Sequence, residues 1–131
     1  YEVIALGDIF LPNEIEALLL THSRTLEEAL PELTQLGPLV VVKRGAKGAI
    51  AVNEHGIVEM PAISVQPVDT TGAGDCFNAG FLYGWLQRWP LSQCLRAGNI
   101  CGGLSTTSPG GSTASPALAE LTDWLINENE R

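Results

Sequence analysis

Hydrophobic positions along the chain follow two rhythms, one of period two or continuous, the other of helical spacing. Val3 to Leu6 is a short apolar run that predicts a strand, followed by Gly7-Asp8. The pattern then turns helical from Asn13 through Leu20. Asn13 is a good N-cap, and Glu14 and Glu16 suit the positive end of a helix dipole. Thr25-Leu26-Glu27-Glu28 is a capping-box pattern. The helix it opens carries Leu26, Ala29, Leu30 and Leu33 on one face and stops near Gly37-Pro38.

Leu39 to Val42 is a continuous apolar, mostly β-branched run, which suits a strand covered on both faces. Ala49 to Val52 and Ile57 to Met60 are the next two strands, joined by Asn53-Glu54-His55-Gly56, with the spacing of a β-meander. A helix is predicted from about Ala73 to Arg88, with Phe77, Phe81, Gly84 and Trp85 on one stripe. A second runs from Leu91 to Leu104, opened by Ser92 or its neighbour. Thr106 to Ser112 reads as a loop. Ser115-Pro116 starts a final helix, with Pro at its first position, through Trp124 and Leu125. Helices before and after a group of strands predict a layered α/β domain.

Composition narrows the classes. The 131 residues hold 7 Lys plus Arg against 15 Asp plus Glu, a formal charge of −8. Such acidity disfavours nucleic acid and anionic membrane as partners, since both need a basic surface. A hydrophobic content of 45% argues against disorder, and no apolar run is long enough to span a bilayer. The chain starts at Tyr1 without a signal-peptide core, and that start is expected to be a cut in a longer chain. Cys76, Cys94 and Cys101 form no C-x-x-C pair and are expected to be buried small apolar residues in a reducing cytoplasm.

Gly72-Ala73-Gly74-Asp75 is the most informative segment for chemistry. Two glycines permit a tight turn and close ligand approach, and the following helix aims unpaired N–H groups at the same spot. A carboxylate in an anion site is odd unless it has work there. Accepting a proton from a hydroxyl that attacks a phosphoryl group is such work. A helix cap beside a glycine turn is the competing reading. No Walker loop is present, and the dinucleotide fingerprint fails because Phe77 stands where its third glycine belongs. That failure sets aside a dinucleotide oxidoreductase.

Lys43, Arg44 and Lys47 pack three of the chain's seven basic residues into five positions of a glycine-containing turn, which suggests a specific small anion. A solvated hairpin end reads equally well. Asn13 and Glu16 could help hold a hydrated Mg²⁺, which needs few protein oxygens, or could simply cap their helix.

Residues Asp69-Thr70-Thr71-Gly72-Ala73-Gly74-Asp75-Cys76-Phe77-Asn78-Ala79-Gly80 resemble the C-terminal signature of the ribokinase family, the PfkB-type carbohydrate kinases. Asn13-x-x-Glu16 upstream, Lys43 to Gly48 in between and Asn99 through Gly111 downstream agree with it. The resemblance implies a three-layer αβα sandwich, the C-terminal part of the ribokinase-like fold without its lid. Residues 1–131 would then be the nucleotide-binding and catalytic-base part of a longer chain.

By the same resemblance, Asp75 matches the catalytic base, and Gly72, Ala73 and Gly74 the anion hole for the transferring phosphoryl group. Asn13 and Glu16 match the motif that organises Mg²⁺ and the phosphates. Lys43, Gly45 and Gly48 match the loop beside the ATP phosphates, with Lys43 where many members carry Thr. Asn99 matches a position lining the adenine pocket. Asp69 and Thr71 match ligands of a monovalent cation such as K⁺, with Thr106, Pro109 and Gly111 completing that site.

The implied activity is transfer of the γ-phosphoryl group of ATP to a hydroxyl of a small sugar or sugar acid. ATP and that sugar are the implied partners in the cytoplasm, and a homo-oligomer stays open. The family's sugar-contacting N-terminal half has no counterpart in this sequence, so the isolated chain is expected to be inactive. A non-catalytic nucleotide-binding or regulatory module of the same fold is the alternative.

Overall fold

A computed structural model describes residues 7–110 and 116–127 of the chain. The strand expected at Val3–Leu6, together with Gly111, Ser112 and Ser115, lies outside the described residues. The elements are β1 (Ile9–Phe10), α1 (Glu14–Thr21), α2 (Leu26–Thr34), β2 (Leu39–Lys43), a 3₁₀ turn (Gly45–Lys47), β3 (Ala49–Asn53), β4 (Gly56–Met60), α3 (Ala73–Leu86), α4 (Leu91–Ser105) and α5 (Leu118–Asn127).

The strands form one sheet in the order β1-β2-β3-β4. β1 runs parallel to β2, while β2, β3 and β4 are the antiparallel meander the turn spacing predicts. In the register of β2 and β3, Val40 faces Val52, Val41 faces Ala51 and Val42 faces Ile50. Side chains alternate between the two faces of a strand. Val40, Val42, Ile50 and Val52 thus meet Ala17 of α1 and Leu26, Ala29 and Leu33 of α2. Leu39, Val41, Ala49 and Ala51 meet Phe77 and Phe81 of α3 and Cys94 and Leu95 of α4. This is a helix–sheet–helix arrangement, and burial on both faces is why the Leu39–Val42 run is unbroken.

α3 and α4 pack closest. A β-carbon on Gly80 would lie 2.6 Å from the Ala97 carbonyl oxygen, and one on Gly98 would lie 2.7 Å from the Phe77 ring. Cys76, Cys94 and Cys101 are free and buried. Burial, with Cys76 beside it, pushes the Cys101 thiol up to about 11, and burial raises Cys94 as well. The thiols therefore behave as small apolar side chains, as the spacing implied.

Four local expectations need correction. Thr25 accepts from the Glu28 amide, but the Glu28 carboxylate takes the amide of Arg24 rather than that of Thr25, so the box closes one residue early. α4 opens at Leu91 with Pro90 as its N-cap, whose carbonyl already accepts from Gln93 and Cys94, and Ser92 lies inside the first turn. α5 begins two residues after Pro116, because the Ala117 carbonyl accepts the bond that starts it. Trp85 stacks on Phe81 but stays 40% exposed, at the edge of the buried stripe.

Replacing Gly80 with Ala should destabilise the intact protein by about 1–3 kcal/mol, the scale of overpacking a rigid contact. Urea unfolding measures this, and an unchanged midpoint would show that the helices can part without cost.

Candidate functional site

The 3₁₀ turn after β2, the segment 62–67, the first turn of α3 and one face of α4 enclose a cleft of about 460 Å³. Lys43, Gly45, Gly48, Ala73, Gly74, Asn99 and Thr106 are among its lining residues, so seven of the positions singled out by sequence meet there. Glycine makes the walls possible. Gly48 adopts φ +94°, and a β-carbon there would collide with the Met60 backbone. Gly102 lies against the Ala73 carbonyl, where a β-carbon would come within 3.1 Å, and Gly103 lies under Ile63.

The Lys43 amide donates to the Pro12 carbonyl at 2.9 Å, and residues 13 and 43 form a parallel bridge. That contact brings the start of α1 beside the end of β2. Asn13 Oδ1 accepts from the Glu16 amide at 2.8 Å, and Glu16 Oε1 accepts from the Asn13 amide at 2.9 Å. The pair is thus a complete capping box, which holds the Glu16 carboxylate at the helix start.

The Lys43 ammonium donates to Asn78 Oδ1 at 3.0 Å. Partial burial lowers its pKa from the usual lysine value, while Glu16 and then Asp75 push back by favouring the charged form.

Gly72 takes the left-handed region at φ +76° and caps α3 without a side-chain bond. The Ala73 amide donates back to the Thr70 carbonyl at 3.2 Å. Among the described residues the Gly74 and Asp75 amides have no acceptor, so these two point out of the helix start. Asp75, next in sequence to the cleft-lining Gly74, is exposed and caps nothing through its side chain.

Asn99 is buried and donates to the carbonyls of Met60 (3.2 Å) and Pro61 (2.9 Å), which ties α4 to the end of β4 while it lines the cleft. Asp69 bridges two loops. Its Oδ1 accepts from the Thr71 amide at 2.9 Å and its Oδ2 from the Gly110 amide at 3.2 Å, while its own amide donates to the Thr106 carbonyl.

The basic cluster does not act as one. Arg44 turns away to ion-pair with Glu14 at 3.6 Å and Glu59 at 3.3 Å, and Lys47 is exposed, which leaves Lys43 facing the cleft. The reason is local: Lys43 ends β2, whereas the backbone leaves the strand at Arg44 (φ −122°, ψ 19°) as it enters the 3₁₀ turn, and the two side chains diverge there.

Sequence reasoning missed Asn78, the segment 62–67 and the glycines of α4. Asn78 was accessible by spacing, since it lies three residues after Asp75 on one helix face. Among the described residues no three His, Cys, Asp or Glu side chains gather to hold a metal ion. A hydrated Mg²⁺ still fits here, since it keeps several waters and takes one carboxylate plus substrate phosphates.

Residues 1–118 match the family model described as pfkB family carbohydrate kinase. The chain is 35% identical over 131 residues to a fructokinase of Vibrio alginolyticus, covering 95% of this chain and 43% of that protein. It is 40% identical over 101 residues to a cytidine kinase of Thermococcus kodakarensis, covering 74% of this chain and 36% of that protein. A crystal structure of fructokinase from Vibrio cholerae bound to fructose, ADP and calcium superposes with a TM-score of 0.84 at 35% identity, over 95% of this chain and 42% of that one. The chain thus spans less than half the length of the relatives it matches.

Asp69 supplies a pH test of the loop bridge. The Thr71 hydroxyl, the Thr71 amide and the Gly110 amide hold its carboxyl below the ordinary 3.8. A depressed folded-state pKa means that the bridge contributes fully above the unfolded value and is lost as pH falls through the depressed one. The carboxyl carbon shift of Asp69 should titrate below 3.8 in the intact protein; a midpoint at or above that value would contradict the bridge.

Proposed function

Because the chain belongs to the pfkB family of carbohydrate kinases, we propose that residues 1–131 form the nucleotide-binding and catalytic-base part of an ATP-dependent kinase acting on a hydroxyl of a small sugar or sugar acid. The observation that carries this reading is the Lys43 ammonium held at the first turn of α3, bonded to Asn78 Oδ1 and 3.5 Å from where a Gly74 β-carbon would lie, with Asp75 the next residue of that turn. A helix start with free amides attracts phosphate. A lysine beside it adds a positive charge, and an exposed carboxylate in the same turn can reach a second substrate.

Transfer then proceeds in line. The acceptor hydroxyl loses its proton to the Asp75 carboxylate as its oxygen bonds to the γ-phosphorus and the bond to the leaving ADP oxygen breaks. The Gly74 and Asp75 amides stabilise charge on the transferring phosphoryl oxygens, which is where preorganised donors contribute most. Glu16 would hold Mg²⁺ through water, and the ion would neutralise charge on the β- and γ-phosphates. Gly45 and Gly48 leave room along the phosphate path, and Asn99 borders the base. Asp69 and Thr71 would hold the monovalent cation beside the loop that opens α3.

Nothing in this mechanism selects among hydroxyls. Asp75 would accept a proton from any alcohol brought into line, so these residues alone do not choose the acceptor. That separation fits relatives named for a sugar and for a nucleoside matching the same span.

Asp75→Asn in the intact enzyme should keep ATP affinity and lose turnover by about 10²–10⁴-fold, the scale of a proton-transfer group; unchanged turnover would remove the base role. Gly74→Val should weaken ATP binding. A β-carbon there would sit 3.5 Å from the Lys43 ammonium, and valine's further methyls would fill the phosphate approach. Calorimetry giving an unaltered ATP affinity would count against the anion hole.

A further inference from the structure

We propose that Asn78 is a positioning residue that holds the Lys43 ammonium over the first turn of α3, where the ammonium contacts the transferring phosphates and offsets the two carboxylates beside them. This inference rests on the nucleotide reading above and adds to it a residue with a stated task.

The geometry is specific. Lys43 is the last residue of β2, and its backbone is fixed by the Pro12 carbonyl on one side and by pairing with Ala49 on the other. Its four-carbon stem is otherwise free to sample many rotamers. One bond, Nζ to Asn78 Oδ1 at 3.0 Å, fixes where the charge ends up. That place is the start of α3, since a β-carbon on Gly74 would be 3.5 Å from Nζ.

The identity of the anchor follows from its chemistry. An ammonium donates and never accepts, so residue 78 must present an oxygen. A carboxylate at 78 would also serve as an acceptor, but it would be a third negative charge beside Glu16 and Asp75 and would quench the lysine. An amide oxygen holds the ammonium while leaving its charge for a ligand. The remaining N–H groups can then donate to phosphate oxygens. The need for that charge is plain: Asp75 stands in the first turn of α3, the bridge between residues 13 and 43 brings the start of α1 with Glu16 to the end of β2, and without a cation these carboxylates would repel phosphates that the helix start attracts. Position 78 lies one turn beyond Asp75 on the same helix face, so base and anchor are set by one rigid element.

Calorimetric titration of the intact protein with inorganic tripolyphosphate, ADP and adenosine tests this. Lys43→Met should weaken tripolyphosphate and ADP roughly 10- to 100-fold, the scale of a charge-assisted hydrogen bond, and leave adenosine affinity unmoved. Lys43→Gln should do the same and serves where the methionine variant does not fold. Asn78→Leu should weaken the two phosphate ligands several-fold in the wild-type background and have no further effect in Lys43→Met, because it acts through the lysine.

Equal tripolyphosphate affinity in wild type and both Lys43 variants would overturn the phosphate contact alone. An Asn78→Leu effect of the same size with and without Lys43 would overturn the positioning role. Parallel loss of adenosine and tripolyphosphate affinity would assign both residues to folding. Failure of the wild type to bind either ADP or tripolyphosphate would take down the nucleotide reading together with this one.

Discussion

The close approach of α3 and α4 is the constraint on which the site depends. Helix axes come that near only where side chains vanish at the contact, and Gly80, Gly98 and Gly102 supply the gaps. Phe77 fills the space that Gly98 leaves and also lines the cleft. Moving α4 outward by the width of a methyl would take Asn99 away from the carbonyls of Met60 and Pro61 and would open the wall that Gly102 and Gly103 form. Core packing and cleft shape are therefore one property of this helix pair.

The other side of the site is assembled through backbone. The Lys43 amide bonds to the Pro12 carbonyl, so the sheet itself carries the start of α1 to the cleft. The reciprocal bonds between Asn13 and Glu16 then lock the carboxylate in place. Helix capping and ligand binding need not compete here. A carboxylate has two oxygens, and Glu16 uses one on the Asn13 amide, which leaves the other for solvent or a hydrated ion.

Much of the fold was legible because its signals are local. The Leu39–Val42 run, the Asn53–Gly56 turn and the Asn13 cap each follow from adjacent residues, and each stands where the pattern put it. The misplacements occur at helix starts, where Ser92 and Pro116 were credited with roles that Pro90 and Ala117 hold. Several residues can cap a start, and geometry settles which carbonyl accepts first. The candidate site's motif could be read from adjacent residues, but its long-range contacts could not. Nothing local says that Lys43 meets Asn78, 35 positions away, or that Arg44 turns to Glu14 and Glu59. Such pairings depend on register and on which side of a strand a side chain leaves.

Arg44's departure changes what the charge pattern means. A chain of formal charge −8 offers little to a polyanion, and three clustered basic residues look at first like an exception of some size. With Arg44 neutralised by two glutamates and Lys47 out in solvent, the exception shrinks to one ammonium. One ammonium flanked by two carboxylates is close to neutral or negative on its own, so it cannot hold a phosphate by net charge. Under the proposed reading, what would draw an anion is direction: the amides at the start of α3 and a lysine held by a neutral amide present positive ends to one side of the cleft. A site built this way discriminates by geometry. It would favour a small anion that can lie along the helix start with its oxygens on the amides and the ammonium, and would offer little to a charge that cannot adopt that pose.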